Sequence, residues 1–168
     1  MTAAVRIEPL GSQHDRKAFA CGVEALDRYF RELVTQDVKR RVSNCFVAVG
    51  QNGEIVGYYT FAATGVALGD LPSALAKKLP RYPLAPAALI GRLAISTNHQ
   101  GRNIGGALVI DAVLRASRAD PAVFAILVDA KDVRAAAFYE HLGFQRLASR
   151  PRSLFLPIAT ALKALDES

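Results

Sequence analysis

Between His99 and Gly106 the chain reads HQGRNIGG, and an apolar helical pattern, ALVIDAVLRA, follows at once. Glycines in a turn that opens a helix leave several backbone N–H groups free at the helix N-terminus, which is the chemistry of an anion site. Gly101, Gly105 and Gly106 carry no Cβ to hold a bulky phosphate away, and Arg102 can neutralise its charge. Close helix–strand packing alone would also account for such glycines. The stretch has no Gly-Lys-Ser/Thr and no full GxGxxG, so nucleotide hydrolysis and dinucleotide binding both lose ground. About thirty residues on comes VDAKDVRAAAFYEHLGF, in which Tyr139 stands on a short helix ended by Gly143.

These groups need a scaffold. The 168 residues are 51% hydrophobic and 21% charged, the composition of one compact domain with its own core. No run reaches the length of a membrane span, and MTAAVRIEPL lacks the basic and apolar regions of a leader, so a cytoplasmic protein without a membrane partner is expected. Cys21 and Cys45 lie in apolar surroundings and read as buried thiols; His14, His99 and His141 have no metal-ligand spacing. An excess of 21 basic over 15 acidic residues leaves a net charge of +6, which fits an anionic partner as well as a merely soluble surface.

Periodicity gives the element order. VRIEPL reads as a strand, and His14 to Arg41 as helical with a break at Gly22. NCFVAVG and IVGYYTFAATGVAL flank QNGE, whose Asn52–Gly53 pair suits the positive φ angles of a tight hairpin. A proline-rich loop with a short helix, SALAKKL, leads to the buried strand ALIGRLAIS. Then come the glycine turn, a helix over Ile104 to Ser117, the strand AVFAILVDA, the Tyr139 helix, and the strands FQRLA and LFLPI. The expected fold is α/β (α+β): a mixed, mostly antiparallel central sheet with helices on both faces, in one domain over 1–168.

The two segments together resemble the GNAT family of acetyl-CoA-dependent N-acetyltransferases. The Gln/Arg-x-x-Gly-x-Gly/Ala signature is carried by Gln100, Asn103 and Gly105, and the A-x-x-F-Y-x-x-x-G-F segment by Ala135, Phe138, Tyr139, Gly143 and Phe144. Asn103 departs from the usual glycine, and asparagine is the side chain that best tolerates a left-handed backbone. AFACGVEALDRYFRELVTQDVKRRVSNCFVAV, GYYTFAA, KLPRYPLAPAALIGRLAIS and LFLP are similar to the GNAT toxins of bacterial toxin–antitoxin systems.

The resemblance implies acetyl-CoA as acetyl donor and no metal. It implies acetylation of the amino group of aminoacyl-tRNA with arrest of translation, a ribbon–helix–helix antitoxin as partner, and a homodimer. The cofactor would be held by Leu93, Ala94 and Ile95 on the strand, by Gln100, Gly101, Arg102, Asn103, Ile104, Gly105 and Gly106 in the turn, and by Phe138. Tyr139 takes the place of the catalytic proton donor, on the flank of a core stripe formed by Ala135, Phe138 and Leu142.

No Asp, Glu or His falls within ALIGRLAIS, where many family members carry a base. An α-amino group, with a pKa of about 7.7–8.0, needs one less than a lysine near 10.4. Lys39, Arg40 and Arg41, then Lys77, Lys78 and Arg81, and Arg92 form a candidate track for tRNA phosphates, although charged helix ends are often only solvated. A GNAT acting on a small amine or a protein N-terminus, and a silent acetyl-CoA-binding module, are the rival readings.

Overall fold

The computed structural model describes residues 5–167; residues 1–4, the start of the segment read for a leader, and Ser168 lie outside the described residues. The strands are β1 (Arg6–Pro9), β2 (Asn44–Val49), β3 (Ile55–Ala67), β4 (Leu84–Ile95), β5 (Ala125–Asp129), β6 (Gln145–Arg146) and β7 (Ser153–Pro157). The helices are α1 (Glu24–Arg28), α2 (Val34–Lys39), α3 (Ser73–Ala76), α4 (Ile104–Ser117), α5 (Val133–His141) and α6 (Ile158–Asp166). The strands hydrogen-bond in the order β1-β2-β3-β4-β5-β7-β6, a mixed and mostly antiparallel sheet, as expected. Chain contacts fall into two compact units, Met1–Ala62 with Gly91–Asp111, and Ala63–Ile90 with Ala112–Ser168.

The first unit is an antiparallel meander with helical cover. Val47 stands opposite Tyr58, and Phe46 opposite Tyr59. Phe30 stacks on Tyr58 with ring centroids 4.3 Å apart, and Phe19 meets both rings edge-on. The Tyr58 hydroxyl escapes this apolar cluster by donating to the Leu26 carbonyl at 2.8 Å. Both cysteines are buried in the same cluster and neither forms a disulfide, and burial pushes the Cys45 thiol up to about 12, which disfavours its thiolate.

Two local expectations change here. The segment before Gly22 is not helical. Gly22 takes φ 92° and α1 begins at Glu24, so the apolar spacing upstream comes from a packed loop. At Tyr29–Leu33 the helix widens into a π turn before α2 resumes. The β2–β3 hairpin needs one left-handed residue, not two. Gly53 alone is positive, at 81°, because the Gly50–Glu54 loop is closed by Gly53 N–H to Gly50 O and Gly50 N–H to Glu54 O, longer than a two-residue turn.

In the second unit β4 and β5 pair in parallel over Ala87–Ile90 and Ala125–Val128, which requires the crossover that α4 supplies. β7 returns antiparallel to β5, with Leu127 opposite Phe155. These side chains pack with Val66, Leu71, Ala87 and Leu147. The chain does not end on a strand. Pro157 is followed by α6, in which Ile158 and Ala161 are buried and Leu162 and Leu165 half-buried, a helical i, i+3, i+4, i+7 stripe that the reading of LFLPI as the last element overlooked.

Phe30 is fully buried and holds two aromatic neighbours. Phe30→Ala should destabilise the protein by about 3–5 kcal/mol, measured as a lower urea midpoint at unchanged m-value.

Candidate active site

The site in the first unit begins on β4. The Arg92 N–H is bonded by the Thr60 hydroxyl at 3.0 Å and the Ser96 N–H by the Val56 carbonyl at 2.9 Å, so both point towards β3. Alternation turns the N–H groups of Leu93 and Ile95 to the opposite edge, and the parallel ladder has already ended at Ile90. That edge is open, and an extended amide chain can bond to it. Thr60, a buried polar residue within an apolar strand, was not singled out from sequence; its only signal is a hydroxyl where the β pattern calls for a hydrocarbon.

The turn after β4 is tied down from its own side. Thr97 gives both its N–H and its hydroxyl to the Ala20 carbonyl, at 2.8 and 2.9 Å. The Gln100 side-chain amide donates to the carbonyls of Cys21 at 3.0 Å and Ile95 at 3.1 Å. Gln100 thus braces the turn with its side chain. Gly101 lies at φ 79° and Asn103 at φ 63°, the left-handed conformation that asparagine tolerates.

The first backbone bond into α4 runs from Ala107 N–H to Asn103 O at 3.2 Å. The N–H groups of Ile104, Gly105 and Gly106 precede it, and no acceptor among the described residues takes them. Ile104 contributes only its backbone, since its side chain is buried in the core. A Cβ at Gly106 would meet nothing within 4 Å, the first turn holds no acidic residue, and the Arg102 side chain is exposed. Free donors, open space and a cation fit a diphosphate.

The second unit carries Tyr139 on α5, whose N-terminus is capped by Asp132 accepting from Ala135 N–H at 2.8 Å. Gly143 at φ 102° ends the helix. The buried stripe differs by one position from expectation. Ala136 and Tyr139 are its buried members, with Phe144 beyond the helix, while Ala135, Phe138 and Leu142 are half-buried. The Tyr139 ring lies edge-on to Phe138 at 5.0 Å and Phe144 at 5.4 Å, and this aromatic contact decides which face turns inward.

Its hydroxyl bonds to no described residue, yet no buried side-chain oxygen among the described residues lacks a partner, so the hydroxyl reaches the surface. Burial of the ring raises the phenol's pKa well above the ordinary tyrosine value. A phenol of that kind holds its proton at neutral and mildly alkaline pH.

The basic groups can be placed one by one. Lys39, Arg40 and Arg41 are exposed at the end of α2, with Arg41 left-handed at φ 61°; Lys77, Lys78 and Arg81 are exposed after α3. Arg92 is different, being half-buried with its guanidinium 3.5 Å from the centre of the Tyr29 ring.

Residues 41–146 match the acetyltransferase (GNAT) domain model, and the chain belongs to that family. It is an acetyltransferase that uses acetyl-CoA. It is 34% identical over 144 residues, 84% of this chain and 85% of the relative, to a tRNA-acetylating toxin of Mycobacterium tuberculosis. Its identity to the probable toxin TacT of Sinorhizobium fredii is 32% over 165 residues, 92% of this chain and 91% of the relative. Among solved structures, AtaT complexed with acetyl-methionyl-tRNAfMet superposes with a TM-score of 0.87 at 26% identity, covering 97% of this chain and 99% of that one. AtaTR bound with acetyl-CoA gives 0.79 at 25% identity, over 96% and 98%.

Gly105→Asp places a carboxylate among the free N–H groups that open α4. Like-charge repulsion there should abolish acetyl-CoA binding in titration calorimetry while the melting temperature stays near wild type; undiminished affinity would move the phosphates elsewhere.

Proposed function

We propose that this chain, acting as one domain over 1–168, acetylates the α-amino group of aminoacyl-tRNA and thereby stops translation, as the toxin of a toxin–antitoxin pair. The observation that carries the reading is the character of β4. Beyond Ile90 its edge presents open backbone donors, and the stretch from Ala88 to Ser96 holds one arginine, with no carboxylate or imidazole to take a proton. Such a strand suits an amine that is neutral near pH 8 and attached to a polyanion. The relative named a tRNA-acetylating toxin, 34% identical, supports the same substrate.

Bound acetyl-CoA supplies an acetyl group activated as a thioester. The N–H groups of Ile104, Gly105 and Gly106 hold the diphosphate, helped by Arg102 and by the backbone of Gly101 and Asn103. Leu93 and Ile95 align the amide arm from the open edge of β4, and one of their N–H groups polarises the acetyl carbonyl as the amine attacks. Tyr139, held protonated by its burial, delivers its proton to the departing thiolate, while the proton lost by the acetylated amine leaves through water, from which the phenol is reprotonated. Lys39, Arg40, Arg41, Lys77, Lys78 and Arg81 meet tRNA phosphates, giving affinity without base readout. A ribbon–helix–helix antitoxin and a homodimeric assembly complete the reading; a translation-blocking enzyme needs a partner that masks it in its own cell.

Labelled acetyl-CoA incubated with total charged tRNA tests the substrate directly. Label recovered on the amino acid after ester hydrolysis is the expected result, and label appearing only on small free amines overturns it. Reversing Lys77, Lys78 and Arg81 to glutamate should raise the KM for charged tRNA at least tenfold, leave the affinity for acetyl-CoA within twofold, and flatten the salt dependence of the rate. Wild-type kinetics in that variant remove these three residues from the interface.

Tyr139→Phe deletes one hydroxyl and keeps the ring between Phe138 and Phe144. The single-turnover rate should fall by about 10²–10⁴ with cofactor affinity preserved. In the wild type the rate should rise through the amine pKa, which the neighbouring ester holds below the value of a peptide α-amino group, about 7.7–8.0, and then stay flat, because the raised Tyr139 pKa keeps the donor protonated at higher pH. A variant within a few-fold of wild type, or a wild-type rate that declines from pH 8 to 9, counts against the role.

A further inference from the structure

Arg92 is a half-buried cation with no acidic side chain or other hydrogen-bond acceptor engaging its guanidinium among the described residues. Withdrawing a charge from water without a counter-ion is unfavourable, so its environment must be arranged to keep it there. The arrangement is visible. The guanidinium lies 3.5 Å over the Tyr29 ring, and the Tyr29 hydroxyl donates to a carboxylate oxygen of Asp37 at 2.6 Å. That hydrogen bond draws the phenol proton towards the carboxylate and enriches the ring in electrons, strengthening its hold on the cation. Burial together with the Asp37 bond raises the Tyr29 pKa, so the phenol remains a neutral donor.

The π turn makes this contact geometrically available. In a regular α-helix, residues eight apart differ in direction by about 80°. The widened turn at Tyr29–Leu33 absorbs one residue, so Tyr29 and Asp37 relate as a pair seven apart, within about 20° of one face. Arg16 supports the widened turn by donating to the carbonyls of Phe30 at 2.8 Å and Arg31 at 3.3 Å. One face of Arg92 is thereby fixed on a ring, and the planar edge that carries its N–H donors is left for a ligand.

We propose that Arg92 is an anion anchor for the phosphodiester nearest the reacting end of the substrate, and that Tyr29 and Asp37 are the positioning residues that aim it. The assignment rests on the aminoacyl-tRNA reading above. An aminoacyl ester sits on the 3′-terminal ribose, so its closest phosphate is the one that joins the last nucleotide to the strand. Arg92 immediately precedes the Leu93 donor, three residues before β4 ends at Ile95, and the diphosphate already has Arg102 and the free N–H groups at the start of α4. The anchor therefore belongs to the substrate and not to acetyl-CoA. A planar guanidinium can meet a phosphate with two parallel hydrogen bonds, which a lysine cannot do.

The test uses steady-state acetylation of charged tRNA by wild type, Arg92→Gln, Arg92→Lys and Tyr29→Phe, across a salt series. We expect Arg92→Gln to raise the KM for charged tRNA about tenfold and to reduce the slope of log kcat/KM against log salt by about 0.7. Calorimetric affinity for acetyl-CoA and the melting temperature should stay near wild type. Arg92→Lys should recover the salt slope but not the KM, since charge returns without the planar stack. Tyr29→Phe should raise the KM by a smaller factor at an unchanged slope, because the ring remains and only the Asp37 bond is lost. An Arg92→Gln enzyme with wild-type slope and KM overturns the anchor while the substrate reading stands, as does one whose loss is confined to acetyl-CoA affinity. Wild-type enzyme that fails to acetylate charged tRNA overturns both.

Discussion

Three backbone N–H groups at the start of α4 that find no acceptor among the described residues are the constraint around which the first unit is organised. Donors of that kind are unfavourable in a folded chain unless they face water or a ligand, and a free glycine-rich turn would collapse to pair them. The bonds from Thr97 to Ala20 and from Gln100 to Cys21 and Ile95 prevent that collapse by fixing the turn to a loop whose own position is set by the core. That loop is held in turn, because the Cys21 N–H donates to the buried carboxylate of Asp27 at 2.8 Å. The first residue of the family signature therefore acts through the shape of the turn, with its amide spent on two carbonyls.

The same logic governs the strand that leads into the turn. β4 is paired with β5 up to Ile90 and open on that edge afterwards, while on its other edge Thr60 of β3 takes the Arg92 N–H with its side-chain hydroxyl. An edge inside a sheet normally invites unwanted pairing. Here it lies between a cation held on an aromatic ring and a turn that attracts anions, so it favours a polar, negatively charged guest. Electrostatics and backbone polarity point to the same class of ligand.

In the second unit the decisive property is the environment of one phenol. Tyr139 belongs to the buried stripe of α5, ring-locked between two phenylalanines, and its hydroxyl alone opens outward. Burial keeps the proton on at the pH where an α-amine has lost its own. A protonated phenol and a neutral α-amine can thus coexist at one pH.

Much of this was legible in the residues. The glycine turn, the Ile104–Ser117 helix with its bounds, the Gly143 stop, the paired strands around QNGE and the buried thiols follow from local rules of φ, periodicity and hydropathy, which need no knowledge of distant neighbours. Other features depend on partners far along the chain. Whether Ala135 or Ala136 faces inward is set by Phe144 packing on Tyr139, beyond the end of the helix. The region before Gly22 has helical spacing but finds its hydrogen bonds in loops, and the π turn at Tyr29 is invisible to a 3.6-residue period. The meeting of Arg92 with Tyr29, sixty-odd residues apart in the sequence, is decided only when β4 and the helix share a core, because a cation on a ring has no local sequence signature.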